Sequence, residues 1–289
     1  MRITSKAAFF ATIAASLTTL TGCMHIQVAE KDFIRPDRVT GYQAKEVLSN
    51  ELLQTIKPGA QVQEKSIVVD ETLKLNGLSL QVDAGRPTVL YFGGNLSHAD
   101  ESLKSLVRQT SACAPNFVSF DYRGYGRTKG EPSIKSLQED ALRIYDEVRK
   151  NTQGKLFLHG QSLGSFMTGH IMQNRSVDGV ILEATATTLP EVVSFKTPWY
   201  AVPFVRFSYE PTTLLINNAQ AVSQYQQKSL VIIGENDDLF GAELGKKVFD
   251  AIPSSNKQLL LVKNGPHSGM MNKAEVQQAF CSFINSGLN

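Results

Sequence analysis

Cysteine is scarce in this sequence of 289 residues: there are three, and no two of them form a CxxC motif. Zinc sites built on thiolates need such close spacings, so we predict no metal centre of this kind. An excess of one charge is also lacking, because 29 basic residues face 27 acidic ones. Binding to nucleic acid needs a concentrated surplus of Lys and Arg, so we expect no nucleic-acid partner.

The N-terminus lacks an apolar run long enough for a comfortable membrane span, which takes about 20 residues. Its apolar stretch, residues 7–20, is short and diluted by Thr and Ser, and it follows the basic residues Arg2 and Lys6. This order is typical of a secretory signal. Residues 20–23, Leu-Thr-Gly-Cys, resemble the bacterial lipobox, in which the Cys thiol is diacylated and the chain is cut just before it.

We therefore expect a lipoprotein signal peptide over residues 1–22, lipidation of Cys23, and an exported protein anchored to a membrane. Met24 follows the Cys where an Asp would be a retention signal, which favours the outer membrane, facing the periplasm, in a Gram-negative host. A plain signal peptide or an uncleaved signal anchor is the alternative. Residues 23–45 lack periodicity and are predicted to be a lipidated tether, leaving residues 46–289 as one domain.

The middle of the chain alternates short β-branched or apolar runs with longer helical patterns, which is typical of an α/β fold with a parallel sheet covered on both faces. The runs at residues 66–69, 73–82, 88–92, 116–120, 155–158, 177–183, 228–233 and 258–262 are predicted strands. The predicted helices are residues 100–112, 134–151, 163–173 and 273–284.

One interval, residues 185–227, interrupts this alternation and shows no clear strand. Such long insertions usually form a lid or a binding element, so we expect a cap here. Its aromatic residues are candidates for lining an acyl pocket or for packing the insertion onto the domain: Trp199, Tyr200, Phe204, Phe207 and Tyr209.

Residues 160–164 form a G-x-S-x-G motif that directly follows a predicted apolar strand and opens a helix. This context is what makes the short motif informative. A Ser on such a sharp turn needs Gly on both sides, because side chains there would collide with the strand and helix. Ser162 is therefore the candidate nucleophile, and the N–H groups at the start of the helix are suited to binding an oxyanion.

A Ser hydroxyl needs a base to accept its proton, and the chain offers five histidines. His267 lies in a loop after the last predicted strand, at the carboxyl edge of the sheet where sites of such folds form, and is the preferred base. The other four are placed less favourably: His25 in the tether, His98 before the Ser in chain order, His159 beside the nucleophile in a structural position, and His170 on a helix face.

The base in turn needs an acid that fixes its tautomer. A predicted buried strand ends in an acidic turn, where Asp237 is the first choice and Asp238 the second. Glu183, at the end of an earlier strand, is a third candidate. Ser162, Asp237 and His267 occur in the Ser–Asp–His order that this sheet topology imposes, which favours Asp237 as the acid.

The segment over residues 121–133, DYRGYGRTKGEPS, closely resembles the D-Y-R-G-Y-G-x-S-x-G segment of short-capped α/β hydrolases, the serine-aminopeptidase-like group. The resemblance extends from about residue 62 to 283. It implies an α/β-hydrolase fold with a mostly parallel, eight-stranded sheet, helices on both faces and a short cap insertion at residues 185–227. It also implies that the chain needs no metal and no organic cofactor.

One position departs from this family, whose members usually carry His-Gly-Asn-Ala after the third strand where this chain has Gly93-Gly94-Asn95-Leu96. We expect the backbone N–H groups of Asn95 and Leu163 to form the oxyanion hole. Because these donors are main-chain groups, loss of the His need not abolish the hole, but it removes a side chain that supports the loop, and we expect a more mobile loop.

The resemblance and the Ser–Asp–His set together predict a serine hydrolase that cleaves an ester, thioester or amide through an acyl-enzyme on Ser162, with a hydrophobic acyl substrate favoured. Two alternatives stay open: acyl transfer to an acceptor other than water, and a catalytically idle lipoprotein that acts as a binding module. In the resembled fold the helices near Cys113 and Cys281 cover the same face of the sheet, so a disulfide between them is possible.

Overall fold

The computed structural model describes residues 24–44 and 46–286. The predicted leader and Cys23 lie outside these residues. The strands are β1 Met24–Val28, β2 Gln61–Val68, β3 Lys74–Gln81, β4 Thr88–Phe92, β5 Asn116–Phe120, β6 Leu156–Gln161, β7 Gly179–Glu183, β8 Val205–Tyr209, β9 Lys228–Gly234 and β10 Lys257–Val262. The α-helices are α1 Asp37–Thr40, α2 Asn50–Ile56, α3 Ala99–Gln109, α4 Ile134–Asn151, α5 Leu163–Asn174, α6 Leu189–Lys196, α7 Asn218–Val222, α8 Ala242–Ala251 and α9 Ala274–Asn285.

Eight strands form one sheet in the order β10-β9-β7-β6-β4-β5-β3-β2. The pairs β2–β3 and β3–β5 are antiparallel, and the other neighbours in this sheet are parallel. The predicted fold class, a mostly parallel eight-stranded sheet, is thus confirmed. The first predicted strand was too short, since β2 begins at Gln61 and pairs along its whole length with β3.

The central strands β4, β6 and β7 are buried along their whole length, which explains their apolar and β-branched composition. Each face of the sheet carries its own hydrophobic core. One core packs α4, α5 and α8 against the sheet, and the other packs α3 and α9. The sharp start of α4 is encoded locally, because the Ser133 hydroxyl accepts a hydrogen bond from the Ser136 N–H at 3.1 Å.

A disulfide joins Cys113, just after α3, to Cys281 in α9. Their Cα atoms are 5.2 Å apart, and 168 positions separate them in the sequence. Both residues belong to the core that α3 and α9 share. The structure therefore places the two helices on one face of the sheet, as the family resemblance implied, and it forms the disulfide that the sequence left open.

The prediction that residues 23–45 are a tether is wrong for the part that the structure describes. Residues 24–28 form β1, which pairs in parallel with β8, so that Met24 lies opposite Val205 and Val28 opposite Tyr209. Ile34 is buried in the core between α4 and the sheet. The predicted cap, residues 185–227, contains α6, β8 and α7, so the expectation of no strand there is also wrong. We call residues 29–40, which cross the domain surface after β1, the strap.

Candidate active site

Ser162 occupies a tight turn between β6 and α5, with φ = 53° and ψ = −116°. This left-handed backbone conformation is strained for a residue with a side chain. The turn also demands close approach of its neighbours. A Cβ atom on Gly164 would overlap the carbonyl oxygen of Phe92, and one on Gly160 would overlap that of Gly164. These contacts account physically for both glycines of the motif.

The structure brings together the three side chains selected from the sequence as nucleophile, base and acid. The His267 Nε2 atom lies 2.8 Å from the Ser162 Oγ, and the His267 Nδ1 atom lies 2.8 Å from Asp237 Oδ2 and 2.9 Å from Oδ1. The three residues are 7%, 8% and 5% exposed, in the order His, Ser, Asp. They follow β10, β6 and β9, which all end at the same edge of the sheet. The arrangement is that of a nucleophile, a base and an orienting acid.

The Asp237 carboxylate is fixed by its own turn as well as by His267. Its Oδ1 accepts hydrogen bonds from the N–H groups of Leu239 and Phe240, both at 2.9 Å. Burial acts to raise the pKa of Asp237, but the hydrogen bond and charge of His267 and these two N–H donors outweigh it, and the pKa lies below its usual value. The carboxylate therefore stays ionised and able to hold the imidazole.

The other acid candidates do not reach this site. Asp238 is exposed, and its carbonyl oxygen accepts a hydrogen bond from the Lys196 Nζ at 2.7 Å. Glu183 pairs with His159, whose Nε2 lies 2.9 Å from the carboxylate in a fully buried position. Sequence order therefore selected the acid that the geometry also selects.

The remaining histidines have other surroundings. His98 stacks on Tyr42 with ring centroids 3.5 Å apart, and its Nε2 lies 2.8 Å from Asp37. His170 lies on α5, where burial lowers its pKa. His25 lies in β1. Within the described part of the chain, none of these rings is hydrogen-bonded to Ser162.

The two predicted oxyanion donors belong to segments next to the nucleophile. Leu163 is the first residue of α5, where a helix N–H has no intrahelical partner. Asn95 follows Gly94, and a Cβ on Gly94 would lie 3.3 Å from the Ser162 Cβ. Over residues 24–44 and 46–286, neither the Asn95 N–H nor the Leu163 N–H donates to a protein acceptor. Both donors are available, and their role in catalysis stays a prediction.

The loop that carries Asn95 is supported by contacts that the sequence did not reveal. The Asn95 side chain accepts hydrogen bonds from the Tyr125 hydroxyl at 2.7 Å and the Arg35 N–H at 3.1 Å, and its amide donates to the Phe33 carbonyl. The Tyr122 hydroxyl donates to the Gly93 carbonyl at 2.9 Å. The strap and the DYRGYG segment thus hold a loop in which Gly93 replaces the family's His. No local sequence signal pointed to this support.

The aromatic residues of the cap do not all line an acyl pocket or all pack the insertion onto the domain, the two roles predicted for them. Phe207 and Tyr209, on β8, are partly buried, whereas Trp199, Tyr200 and Phe204 are largely exposed to solvent. The cap approaches the acid turn through α6, where a Cβ on Gly241 would overlap the Phe195 ring. The Phe240 ring lies edge-on to His267, with centroids 4.8 Å apart.

In the described residues, no cluster of three His, Cys, Asp or Glu side chains is arranged to hold a metal ion. A search of the same residues for a helix with the length and apolar character of a membrane span finds none.

Residues 84–231, just over half of the chain, match the hydrolase family described as serine aminopeptidase, S33. The chain is also similar to lysophosphatidylserine lipase ABHD12 of Danio rerio, with 25% identity over 60% of this chain and 49% of that protein. Protein ABHD12B of Homo sapiens is 28% identical over 57% of this chain and 50% of that protein. The chain thus spans about half the length of the curated relatives it matches.

Solved structures show the same fold at lower identity. An esterase of Pyrococcus furiosus, Pf2001, superposes with a TM-score of 0.63 at 15% identity, covering 86% of this chain and 100% of that one. A monoacylglycerol lipase of Paleococcus ferrophilus gives a TM-score of 0.54 at 16% identity, covering 78% and 98%. The motif, the sheet order and the matched residues agree: this chain belongs to the serine aminopeptidase S33 family of α/β hydrolases.

Proposed function

We propose that this protein is a serine hydrolase that cleaves acyl esters through an acyl-enzyme on Ser162. The observation that carries the proposal is the buried, continuous hydrogen-bonded chain from Asp237 through His267 to the Ser162 hydroxyl. Such a chain activates a hydroxyl that is otherwise a poor nucleophile. The strained backbone of Ser162 supports the same reading, because strain of this kind is retained where it serves a site.

The first half-reaction forms the acyl-enzyme. The His267 Nε2 takes the proton of the Ser162 hydroxyl while the Oγ bonds to the carbonyl carbon of the ester. The negative charge that develops on the carbonyl oxygen is held by the N–H groups of Asn95 and Leu163, where one such donor is worth about 3 kcal/mol of barrier. The bond to the alcohol then breaks, and His267 returns its proton to the leaving oxygen.

The second half-reaction releases the acid. His267 removes a proton from a water molecule, whose oxygen bonds to the acyl carbon, and Ser162 leaves with the proton that His267 carries. Asp237 stays ionised throughout and stabilises the imidazolium formed in each step, which its low pKa favours. Thioester and amide cleavage would follow the same steps with another leaving group.

The preferred substrate is a hydrophobic acyl group on an alcohol. Support comes from the similar proteins, which are named as a lysophosphatidylserine lipase, an esterase and a monoacylglycerol lipase. Hydrolysis rates across p-nitrophenyl esters of increasing chain length test this preference. Adding glycerol separates hydrolysis from acyl transfer, because a transferase would form the glycerol ester at the expense of the free acid.

We further propose that the protein is exported and held at a membrane by acyl chains on Cys23, after removal of residues 1–22. The lipobox-like residues 20–23 support this location, and two or more acyl chains give stable anchoring. Metabolic labelling with radioactive palmitate tests it. Label is expected on the wild-type chain and absent from Cys23→Ser, and equal labelling of both would refute the anchor.

The chemistry is tested by labelling with a fluorophosphonate probe, which reacts only with an activated Ser. The labelled peptide is expected to contain Ser162, and Ser162→Ala should not label. Ser176→Ala is the matched control, since Ser176 is exposed beyond the end of α5 and should not affect labelling. Absence of label on folded wild-type protein, or label on another Ser, would refute the proposal.

A further inference from the structure

Four apolar side chains of the cap project into solvent within six residues. Trp199 is 85% exposed, Tyr200 62%, Val202 57% and Phe204 68%. We call these four residues the cap ridge. Apolar side chains so close together and so exposed are unusual on a soluble surface and mark sites that are covered in the working protein.

The segment that carries the cap ridge has a positive net charge. Residues 192–209 contain no Asp or Glu, while Lys196 and Arg206 lie within them, and both side chains are exposed. The Lys196 ammonium donates to a carbonyl oxygen, so its charge is not neutralised by that contact. Aromatic rings flanked by Lys and Arg are the composition that settles at the interface of an anionic bilayer.

The chain enters the described structure beside the cap ridge. Met24 pairs with Val205, the residue directly after Phe204, and its side chain is 56% exposed. Cys23 is covalently joined to Met24, and consecutive Cα atoms are about 3.8 Å apart. Acyl chains on Cys23 would therefore start within a few residues' reach of the cap ridge.

The cap ridge is also connected to the active site. It follows α6, whose last residue, Lys196, donates to the Asp238 carbonyl at 2.7 Å, next to the turn that holds Asp237. The position suits an enzyme that takes its acyl substrate from a membrane.

We propose that the cap ridge docks on the surface of an anionic phospholipid bilayer, inserting Trp199 and Phe204 among the lipid headgroups and upper acyl chains. The inference rests on the proposed membrane location but not on the proposed chemistry at Ser162. It assigns the cap the task of orienting the domain on the membrane.

Trp199 is the only tryptophan of the 289 residues, so its fluorescence reports on the cap ridge alone. The mature, acylated protein, purified from membranes, is reconstituted into vesicles of phosphatidylethanolamine and phosphatidylglycerol, with either ordinary or tail-brominated lipids. We expect emission at least about twofold lower in brominated vesicles and a shift to shorter wavelength, because bromine quenches a ring only at contact with the lipid interface.

Two Val-to-Ser substitutions give a matched pair. Val202→Ser, in the cap ridge, is expected to reduce the quenching by brominated lipid. Val68→Ser, at the end of the edge strand β2 and 66% exposed, is expected to leave it unchanged. Hydrolysis of a soluble short-chain ester should be equal in both variants, because neither residue belongs to the active site.

Three results would overturn the docking. The first is a vesicle-bound chain in which Trp199 stays accessible to acrylamide and is not quenched by brominated lipid, which leaves the anchor intact but the cap ridge in water. The second is Trp199 shielded from acrylamide yet not quenched, which shows that a second copy of the protein covers the cap ridge. The third is a chain that does not associate with vesicles, which refutes the proposed anchoring as well. Activity in solution distinguishes each of these from failure of the chemistry.

Discussion

The Tyr125 hydroxyl donates a hydrogen bond to the side-chain oxygen of Asn95 at 2.7 Å, joining the DYRGYG segment to the loop that follows β4. Tyr125 is fully buried, and the Arg35 N–H of the strap donates to both partners, at 3.1 and 3.0 Å. Three segments far apart in sequence thus meet at one amide. The backbone N–H of the same Asn95 is the proposed oxyanion donor.

Asn95→Ala is expected to lower kcat about tenfold with little change in KM, because the main-chain donor is kept but its position is no longer fixed. Steady-state kinetics on a short-chain p-nitrophenyl ester measure the two constants separately. Asn256→Ala, at an exposed position, is the matched control and should match the wild type. An unchanged kcat in folded Asn95→Ala would show that the amide has no positioning role.

Asp237→Asn is expected to reduce kcat by about 10⁴ at neutral pH, because the amide no longer fixes the working tautomer of His267 or stabilises its charged form. The pKa of Asp237 is lowered, so this carboxylate should not titrate in the neutral range. A fall in rate on the acid side of the pH–rate profile should therefore not arise from titration of Asp237. Asp238→Asn supplies the control, with wild-type rates expected. If the two variants lost equal activity, the acid would be misassigned.

The stability of the fold should depend on pH through Asp100. Burial acts to raise the pKa of this carboxylate, but its hydrogen bonds with the Arg127 guanidinium and the Leu48 N–H prevail, and the pKa falls below its ordinary value of 3.8. A carboxylate whose pKa is lower in the folded protein stabilises the fold at pH values above its unfolded-state pKa. This stabilisation is lost as the pH falls through its folded-state pKa.

Asp100→Asn should therefore lower the free energy of unfolding by about 2 kcal/mol at neutral pH, the scale of a hydrogen-bonded charged group. The difference from wild type should shrink at acid pH, as urea unfolding at both pH values would measure. Asp250→Asn, at an exposed position of α8, should have no comparable effect. An equal loss of unfolding free energy at both pH values would contradict a lowered pKa of Asp100 in the folded protein.

Removing the disulfide should destabilise the fold without touching the site. The bond closes a loop of 168 positions, and a cross-link over so long a loop is worth about 5 kcal/mol through the lost entropy of the unfolded chain. The double variant Cys113→Ala and Cys281→Ala is expected to unfold at lower urea concentration while keeping the wild-type kcat. Alkylation of the unreduced, unfolded wild type should find no free thiol at these two positions, and finding both free would refute the bond.

Much of the fold could be predicted because its signals are local. The buried strands β4, β5 and β7 and the helices α4 and α5 each carry their own apolar pattern or cap, and the structure confirms them to within a few residues. The turn at Ser162 is likewise determined by adjacent residues, since close contacts around the turn leave room only for glycine at the two neighbouring motif positions.

The strap and β1 could not be predicted because their stabilising partners are distant. Met24 pairs with Val205, 181 positions away, and although β1, MHIQV, alternates apolar and polar residues, a run of only five residues did not distinguish it from a tether. Asn95 is a parallel case: the sequence named its backbone N–H, but its side-chain partners lie on the strap and the DYRGYG segment. Residues close only in space leave no pattern in one sequence.

The most direct test of the whole account is the turnover of a p-nitrophenyl ester by Ser162→Ala. We expect kcat to fall by about 10⁶, as loss of a triad nucleophile does elsewhere, with the circular dichroism spectrum and unfolding midpoint unchanged. A pre-steady-state burst of p-nitrophenol should appear in the wild type and vanish in the variant. Folded Ser162→Ala with wild-type turnover would contradict the central claim that this hydroxyl is the nucleophile.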